Sequence, residues 1–171
     1  MLWANPYNER VAMKHRRACA IIFTLSILVL ASCSQEKTSL MIKKGNQKYD
    51  LEKSQVADNE NCVAFSAVVR SSGEKPVEAE FRGLEMTILL TSLGIDIHEA
   101  SKITFSASDG YRVAMKTEEV MEPGNVYIAF ERDGEAMRSK KQGGSGPYQL
   151  IIRKDPFSQR WVKHVDEIVI E

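Results

Sequence analysis

The chain has 171 residues, 43% of them hydrophobic, and its 23 Lys and Arg cancel its 23 Asp and Glu. No basic excess is left to hold a nucleic-acid backbone. CxxC, HExxH and P-loop patterns are all absent, so no metal-binding or nucleotide-binding motif declares itself.

The N-terminal residues read as an export signal. Lys14, Arg16 and Arg17 form a positive stretch, and Ala18 to Leu30 is apolar apart from Thr24 and Ser26. That run is too short to span a bilayer, which needs roughly 20 apolar residues. Leu30-Ala31-Ser32-Cys33 follows. Small residues before a cysteine match the bacterial lipobox, in which the Cys33 thiol takes a diacylglycerol and becomes the mature N-terminus. Two or more acyl chains give stable anchoring where one is marginal. Met1 to Ala12 is polar for a signal, and Met13-Lys14-His15-Arg16-Arg17 makes a more usual start. Residues 1–32 therefore read as the signal peptide, with translation expected from Met13. Residues 33–39 read as lipidated cysteine and tether, and residues 40–171 as one domain.

Without residues 1–32 the charge balance is −3. Cys19 leaves with the signal and Cys33 is acylated, so Cys62 remains alone and no intrachain disulfide can form. Its setting before Val63-Ala64-Phe65 suits a small buried hydrophobe.

Leu40-Met41-Ile42 and Tyr49-Asp50-Leu51, around Lys43-Lys44-Gly45-Asn46, predict a strand, a turn and a return. Asp58 to Asn61 is a loop. Residues 62–70 alternate, with Val63, Phe65, Ala67 and Val69 on one face, which predicts a half-buried strand. Ser71 to Pro76 breaks it, and Val77 to Phe81 is a further short strand. Leu84, Ile88 and Leu89 recur at helical spacing, predicting a helix over 84–93 that stops at Gly94. Lys102 to Ala107 alternates, and Asp109-Gly110 turns it into Tyr111 to Met115, a hairpin. Thr117 is placed to cap a short helix that ends at Pro123-Gly124. Val126 to Phe130 is continuously apolar, the mark of a central strand. Lys140 to Pro147 is a basic, glycine-rich loop, and strands at 148–153 and 160–170 close the chain. Strands outnumber the helices among them, so the expected fold class is α+β, a mixed, β-rich single domain.

Several residues occur in an order shared with a known family. Gly83-Leu84-Glu85-Met86 leads to Leu89-Leu90 and Gly94-Ile95. Asp109-Gly110-Tyr111, Val126-Tyr127-Ile128-Ala129 and Asp133-Gly134 follow. Gly143-Gly144-Ser145-Gly146-Pro147-Tyr148-Gln149-Leu150 and Trp161-Val162-Lys163 complete the set. Over roughly residues 40–171 the chain resembles the molybdopterin-binding domain of sulfite-oxidase-type oxidoreductases.

That resemblance implies a pterin-holding cleft, and in the family's enzymes a cysteine thiolate on molybdenum. A soft metal in a dithiolene wants a soft, ionised sulfur. Counting back from Gly83 along the family pattern puts this position at Ser71, after Arg70, and no cysteine occurs between Val63 and Glu171. The family's enzymes also carry further chain, such as a dimerisation domain, that this sequence does not show. Exported molybdenum enzymes cross the membrane folded, by the twin-arginine route. Here Arg16-Arg17 stands without the residues that normally flank that signal. The resulting expectation is a non-catalytic, pterin-like-ligand-binding lipoprotein with no metal, with a pterin without molybdenum as its candidate ligand and a membrane receptor as its candidate partner. Ser34 after Cys33 points to the outer membrane, facing the periplasm. Two alternatives stand beside it: a molybdopterin-dependent oxidoreductase of unusual ligation, and an envelope protein–protein module without a ligand.

The resemblance nominates Arg70, Ser71, Asp109, Tyr111, Ser145 and Gly146 as ligand contacts. Plainer readings compete for each. Asp109 can simply turn a hairpin, Tyr111 can edge the core, Arg70 can form an ion pair, and the glycine loop can be a flexible connection. Lys140-Lys141 reads as a solvated face or a phosphate contact, and Trp161 as core. His98 and His164 have no metal-ligand partner at useful spacing and read as surface or satisfied residues.

Overall fold

The computed structural model describes residues 38–171. The lipobox and the proposed start at Met13 lie outside the described residues.

Among the described residues ten strands form two sheets, with three short α-helices between them. Strands β1 (Leu40–Lys44) and β2 (Gln47–Leu51) make the expected first hairpin. Leu40 and Ile42 are fully buried, and Gly45 supplies the left-handed turn residue at φ 55°. Strand β1 also pairs in parallel with the last strand, β10 (Val165–Ile170), which pairs antiparallel with β5 (Lys102–Ala107). Strand β6 (Arg112–Lys116) completes this first sheet, in the order β2-β1-β10-β5-β6. The β5–β6 turn is the Asp109-Gly110 turn of the sequence reading, with Gly110 at φ 90°.

The second sheet is built on β4 (Val77–Glu85), which lies between β3 (Val63–Val69) and β7 (Val126–Arg132). Strands β8 (Glu135–Ala136) and β9 (Gln149–Ile152) share the other edge of β7. Val126 to Phe130 are all buried, as a strand paired on both sides requires. This sheet rolls. Beyond β9 the chain returns to β3: Arg153 Nε donates to the Ser66 carbonyl at 3.3 Å, and Ser158 N donates to the Arg70 carbonyl at 3.2 Å. Inside the roll Phe65 stacks on Tyr127 at 4.1 Å between centroids, and Phe81 meets Trp161 edge-on at 6.0 Å.

The expected helix over 84–93 is shorter. Helix α2 spans Met86–Ser92, and Leu84 belongs to β4, where it pairs with Ile128. The cause is Gly83. A Cβ there would stand 2.5 Å from the Ile128 carbonyl oxygen, so only glycine lets β4 pass β7 at the bulge between Arg82 and Gly83. The helix does stop at Gly94. Ile95 N bonds to the Leu90 carbonyl and Gly94 N to that of Thr91, a Schellman closure with Gly94 at φ 68°.

Three other differences from the expectations stand out. Helix α1 (Lys53–Ala57) falls in a stretch with no predicted element, held by a capping box between Glu52 and Gln55. Helix α3 (Thr117–Val120) starts on Thr117 itself; Lys116 is its N-cap, and the buried Thr117 hydroxyl has no hydrogen-bond partner among the described residues. The strand expected over 160–170 begins only at Val165, because Ser158–Arg160 forms a 3-10 turn. Among the described residues no helix is long and apolar enough to cross a membrane.

Candidate functional site

The rolled second sheet leaves a cleft at one end, about 460 Å³ in volume, within the range of small-molecule sites. Several pieces of chain meet there: the end of β3 with the loop after it and the start of β4, the end of β7, the glycine-rich loop with the start of β9, and the segment 158–163. Arg70, Ser71 and Ser145, all nominated from the sequence, line this one cleft. Asp109, Tyr111 and Gly146 are not among its lining residues.

Each of those three has a structural position instead. Asp109 accepts from Tyr111 N at 3.2 Å and pairs with Lys140 at 3.3 Å. The Tyr111 backbone N–H, then Lys140, hold its carboxyl below the usual carboxylate range. Tyr111 is 49% exposed, so it is no core-edge residue, and its hydroxyl donates to the Gln159 carbonyl at 2.9 Å behind the cleft wall. Gly146 is buried against Met137, where an added Cβ would meet the carbonyl oxygen at 2.5 Å.

The glycine loop is fixed in place. Ser139 bridges to Gly146, Gly146 N donates to the Arg138 carbonyl at 2.8 Å, and Gly144 N donates to the Ser139 carbonyl at 3.0 Å. His164, buried, completes the fastening. Its backbone N donates to the Ser145 carbonyl, and its Nδ1 lies 2.9 Å from the Gly146 carbonyl oxygen, which makes Nδ1 the protonated nitrogen. His164 takes φ 57°, unusual for a non-glycine residue. His98 is exposed.

The cleft's charge is lopsided. Arg132 is engaged, with Nε on Asp133 at 3.2 Å and its guanidinium 5.8 Å over the Phe81 ring. Arg70, Lys75 and Lys163 also line the cleft, and among the described residues none of their side chains meets a carboxylate. Glu74 is the one acidic side chain in the lining. Three cations against this one carboxylate leave the lining net positive, which favours an anionic guest. Ser71, Ser145, Ser158 and Gln149 add neutral hydrogen-bonding groups, and Trp161 an apolar face. Trp161 is buried as expected, its Nε1 donating to the Ile152 carbonyl at 3.0 Å, and it serves the cleft as well. Lys75, Gln149, Ser158 and Lys163 were not singled out from the sequence. Two of them had a signal: Lys163 in the Trp161-Val162-Lys163 run and Gln149 in the Gly143-to-Leu150 run, both shared with the family.

The profile of the family described as "Oxidoreductase molybdopterin binding domain" matches residues 25–171. Among solved structures, the sulfane dehydrogenase SoxCD from Paracoccus pantotrophus has a similar fold, with a TM-score of 0.63 and 20% sequence identity. The similarity covers 81% of this chain and 39% of that one, so this chain spans about two fifths of the chain it matches. Comparison with curated protein sequences gives no match.

The residues present do not suit the family's metal. Among the described residues Cys62 is the one free cysteine. It precedes β3 at the end remote from the cleft, eight positions before Arg70, or about 26 Å at the rise of a strand. Its Sγ contacts the Val56 carbonyl at 3.2 Å, and burial pushes the thiol's pKa up, away from thiolate. No group of three or more His, Cys, Asp and Glu side chains is arranged to hold a metal ion among the described residues. The organic half of the cofactor fits better: a flat, polar ring system with an anionic group matches the volume, the indole and the free cations of this cleft. The β-rich fold and a profile match running from residue 25 to the last residue agree, and the chain belongs to the oxidoreductase molybdopterin-binding domain family.

Proposed function

We propose that this protein is a membrane-tethered, non-catalytic binding module whose cleft receives a flat, anionic, pterin-like molecule without molybdenum. One observation carries the reading. The cleft lined by Arg70, Ser71, Ser145 and Lys163 gathers more positive charge than its one carboxylate, Glu74, offsets, and contains no thiolate. A serine hydroxyl stays protonated near neutral pH and is a poor ligand for a soft metal, whereas hydroxyls and cations together suit the edge and the acidic group of a heterocycle. The lipobox at Cys33 supports the tether. About five residues separate Cys33 from the described domain, a reach of less than roughly 20 Å when extended. Such a domain works beside the bilayer, where a membrane receptor can read its liganded state.

Elemental and small-molecule analysis of protein isolated from its own compartment tests the proposal. The reading predicts substoichiometric molybdenum and a pterin-like compound released on denaturation. Stoichiometric molybdenum would establish the oxidoreductase reading in its place.

A further inference from the structure

One wall of the cleft lies outside the sheets. It runs from Asp155 to Trp161 and contributes Ser158, Gln159 and Trp161 to the lining. Its regular structure is a single three-residue 3-10 turn, Ser158–Arg160. A segment of this kind normally has few fastenings and opens easily. Here Arg160, which does not line the cleft, holds it from behind. Its Nε donates to Asp155 Oδ2 at 2.9 Å and its Nη1 to Glu119 Oε2 at 3.2 Å. Its Nη2 donates to Glu119 Oε1 at 2.6 Å and also to Asp155 Oδ1. The guanidinium thus engages both oxygens of two carboxylates, a pattern that needs arginine's planar fork.

The two carboxylates stand on different supports. Asp155 is buried and lies three residues past the end of β9, whereas Glu119 is in α3, which follows the edge strand β6 of the first sheet. Asn125, 1% exposed, ties the same two pieces together. Its Nδ2 donates to the Glu119 carbonyl at 3.2 Å, and its Oδ1 accepts from Lys154 N at 3.1 Å. Tyr111, from the β5–β6 turn, adds its bond to the Gln159 carbonyl.

We propose that Arg160 is a positioning residue for the cleft: by bridging Asp155 and Glu119 it fixes Ser158, Gln159 and Trp161 in the arrangement that receives the ligand. The effect on the ligand rests on the cleft reading given above; the effect on the wall does not. A wall fixed in advance spares the ligand the cost of ordering it, so Arg160 raises affinity without touching the ligand.

Two variants test this in the full chain carrying Trp3→Phe, which leaves Trp161 as the sole tryptophan. Arg160→Lys keeps the charge and loses the fork. Glu119→Gln weakens one arm and leaves Asp155 paired. In ligand-free protein with an unchanged far-UV spectrum, acrylamide quenching of Trp161 rises by roughly twofold in both variants as the wall loosens. With pterin-6-carboxylate as probe, affinity falls by roughly three- to tenfold, while the slope of log Kd against log salt stays at its starting value, because no contacting charge has been removed. Lys163→Gln, by contrast, flattens that slope. Unchanged quenching in both variants would overturn the proposal, as would a flattened salt slope in Arg160→Lys. If the parent protein fails to bind the probe, the pterin reading falls, and the quenching result alone decides the role of Arg160.

Discussion

Arg70 and Ser158 exchange two hydrogen bonds across 88 positions of sequence: Arg70 N donates to Ser158 Oγ at 2.8 Å, and Ser158 N donates to the Arg70 carbonyl at 3.2 Å. This pair closes the rolled sheet and, in the same stroke, sets the two sides of the cleft at a fixed distance. Fold and site are therefore coupled at one point. Ser158→Ala removes one of the two bonds and leaves Arg70 N short of its partner. The expected loss is about 1 kcal/mol, read as a fall in the melting temperature of roughly 2–6 °C. Ligand affinity should fall as well, because the cleft opens at that seam.

The glycine loop offers a second test. At Gly146 an added methyl would stand 2.5 Å from the Met137 carbonyl oxygen and 2.7 Å from its Cβ. Backbone cannot step aside as a flexible side chain would. Gly146→Ala is expected to cost about 1–3 kcal/mol, measured as the shift of the urea midpoint at constant slope. Gly143 differs, since nothing lies within 4 Å of its added Cβ. Alanine there meets only the left-handed backbone at φ 74°, for a loss of about 1 kcal/mol.

Tyr148 gives a prediction in pH. It is fully buried, and its hydroxyl has no hydrogen-bond partner among the described residues. Burial alone pushes its phenol pKa far above the ordinary value of 10.0. The folded protein then keeps a proton that the unfolded chain releases above that value. The unfolded state binds fewer protons there, so stability holds below pH 10 and falls as the pH rises beyond it. Tyr148→Phe removes the unpaired hydroxyl. It should raise stability near neutrality by about 1 kcal/mol and flatten the alkaline decline, both read from thermal melts between pH 7 and 11.

The tether is tested at Cys33. Cys33→Ala in cells should abolish incorporation of labelled palmitate and move the protein out of the membrane fraction. Retention in the membrane without label would contradict lipid anchoring at this residue.

The parts of the fold legible in the sequence are those set by neighbours in the chain. Asp109-Gly110 between two alternating runs gave the β5–β6 hairpin, and the unbroken apolar run Val126 to Phe130 gave a strand buried on both faces. Leu84 misled because it satisfies two periods at once: it sits at helical spacing from Ile88 and also faces the core from a strand. What decides between them is the approach of Ile128 to Gly83, a contact 45 positions away. The site divides in the same way. Arg70, Ser71 and Ser145 were reachable through residues shared in order with the family, and Gln149 stood in the same shared run, while Ser158 enters the cleft only through the rolling of the sheet. Asp109 and Tyr111 looked like cleft residues because they adjoin a shared turn. That turn lies on the other sheet, and it reaches the chain around the cleft through the Tyr111 hydroxyl on Gln159 and the Asp109–Lys140 pair, without lining the cleft itself.

The most direct measurement is a titration of Trp161 fluorescence with oxidised and reduced pterins, in protein free of molybdenum and carrying Trp3→Phe. A ligand in the cleft would lie against this indole, one of its lining residues. The account predicts saturable quenching that weakens with salt and is lost in Arg70→Gln with Lys163→Gln. No quenching at millimolar pterin would contradict it.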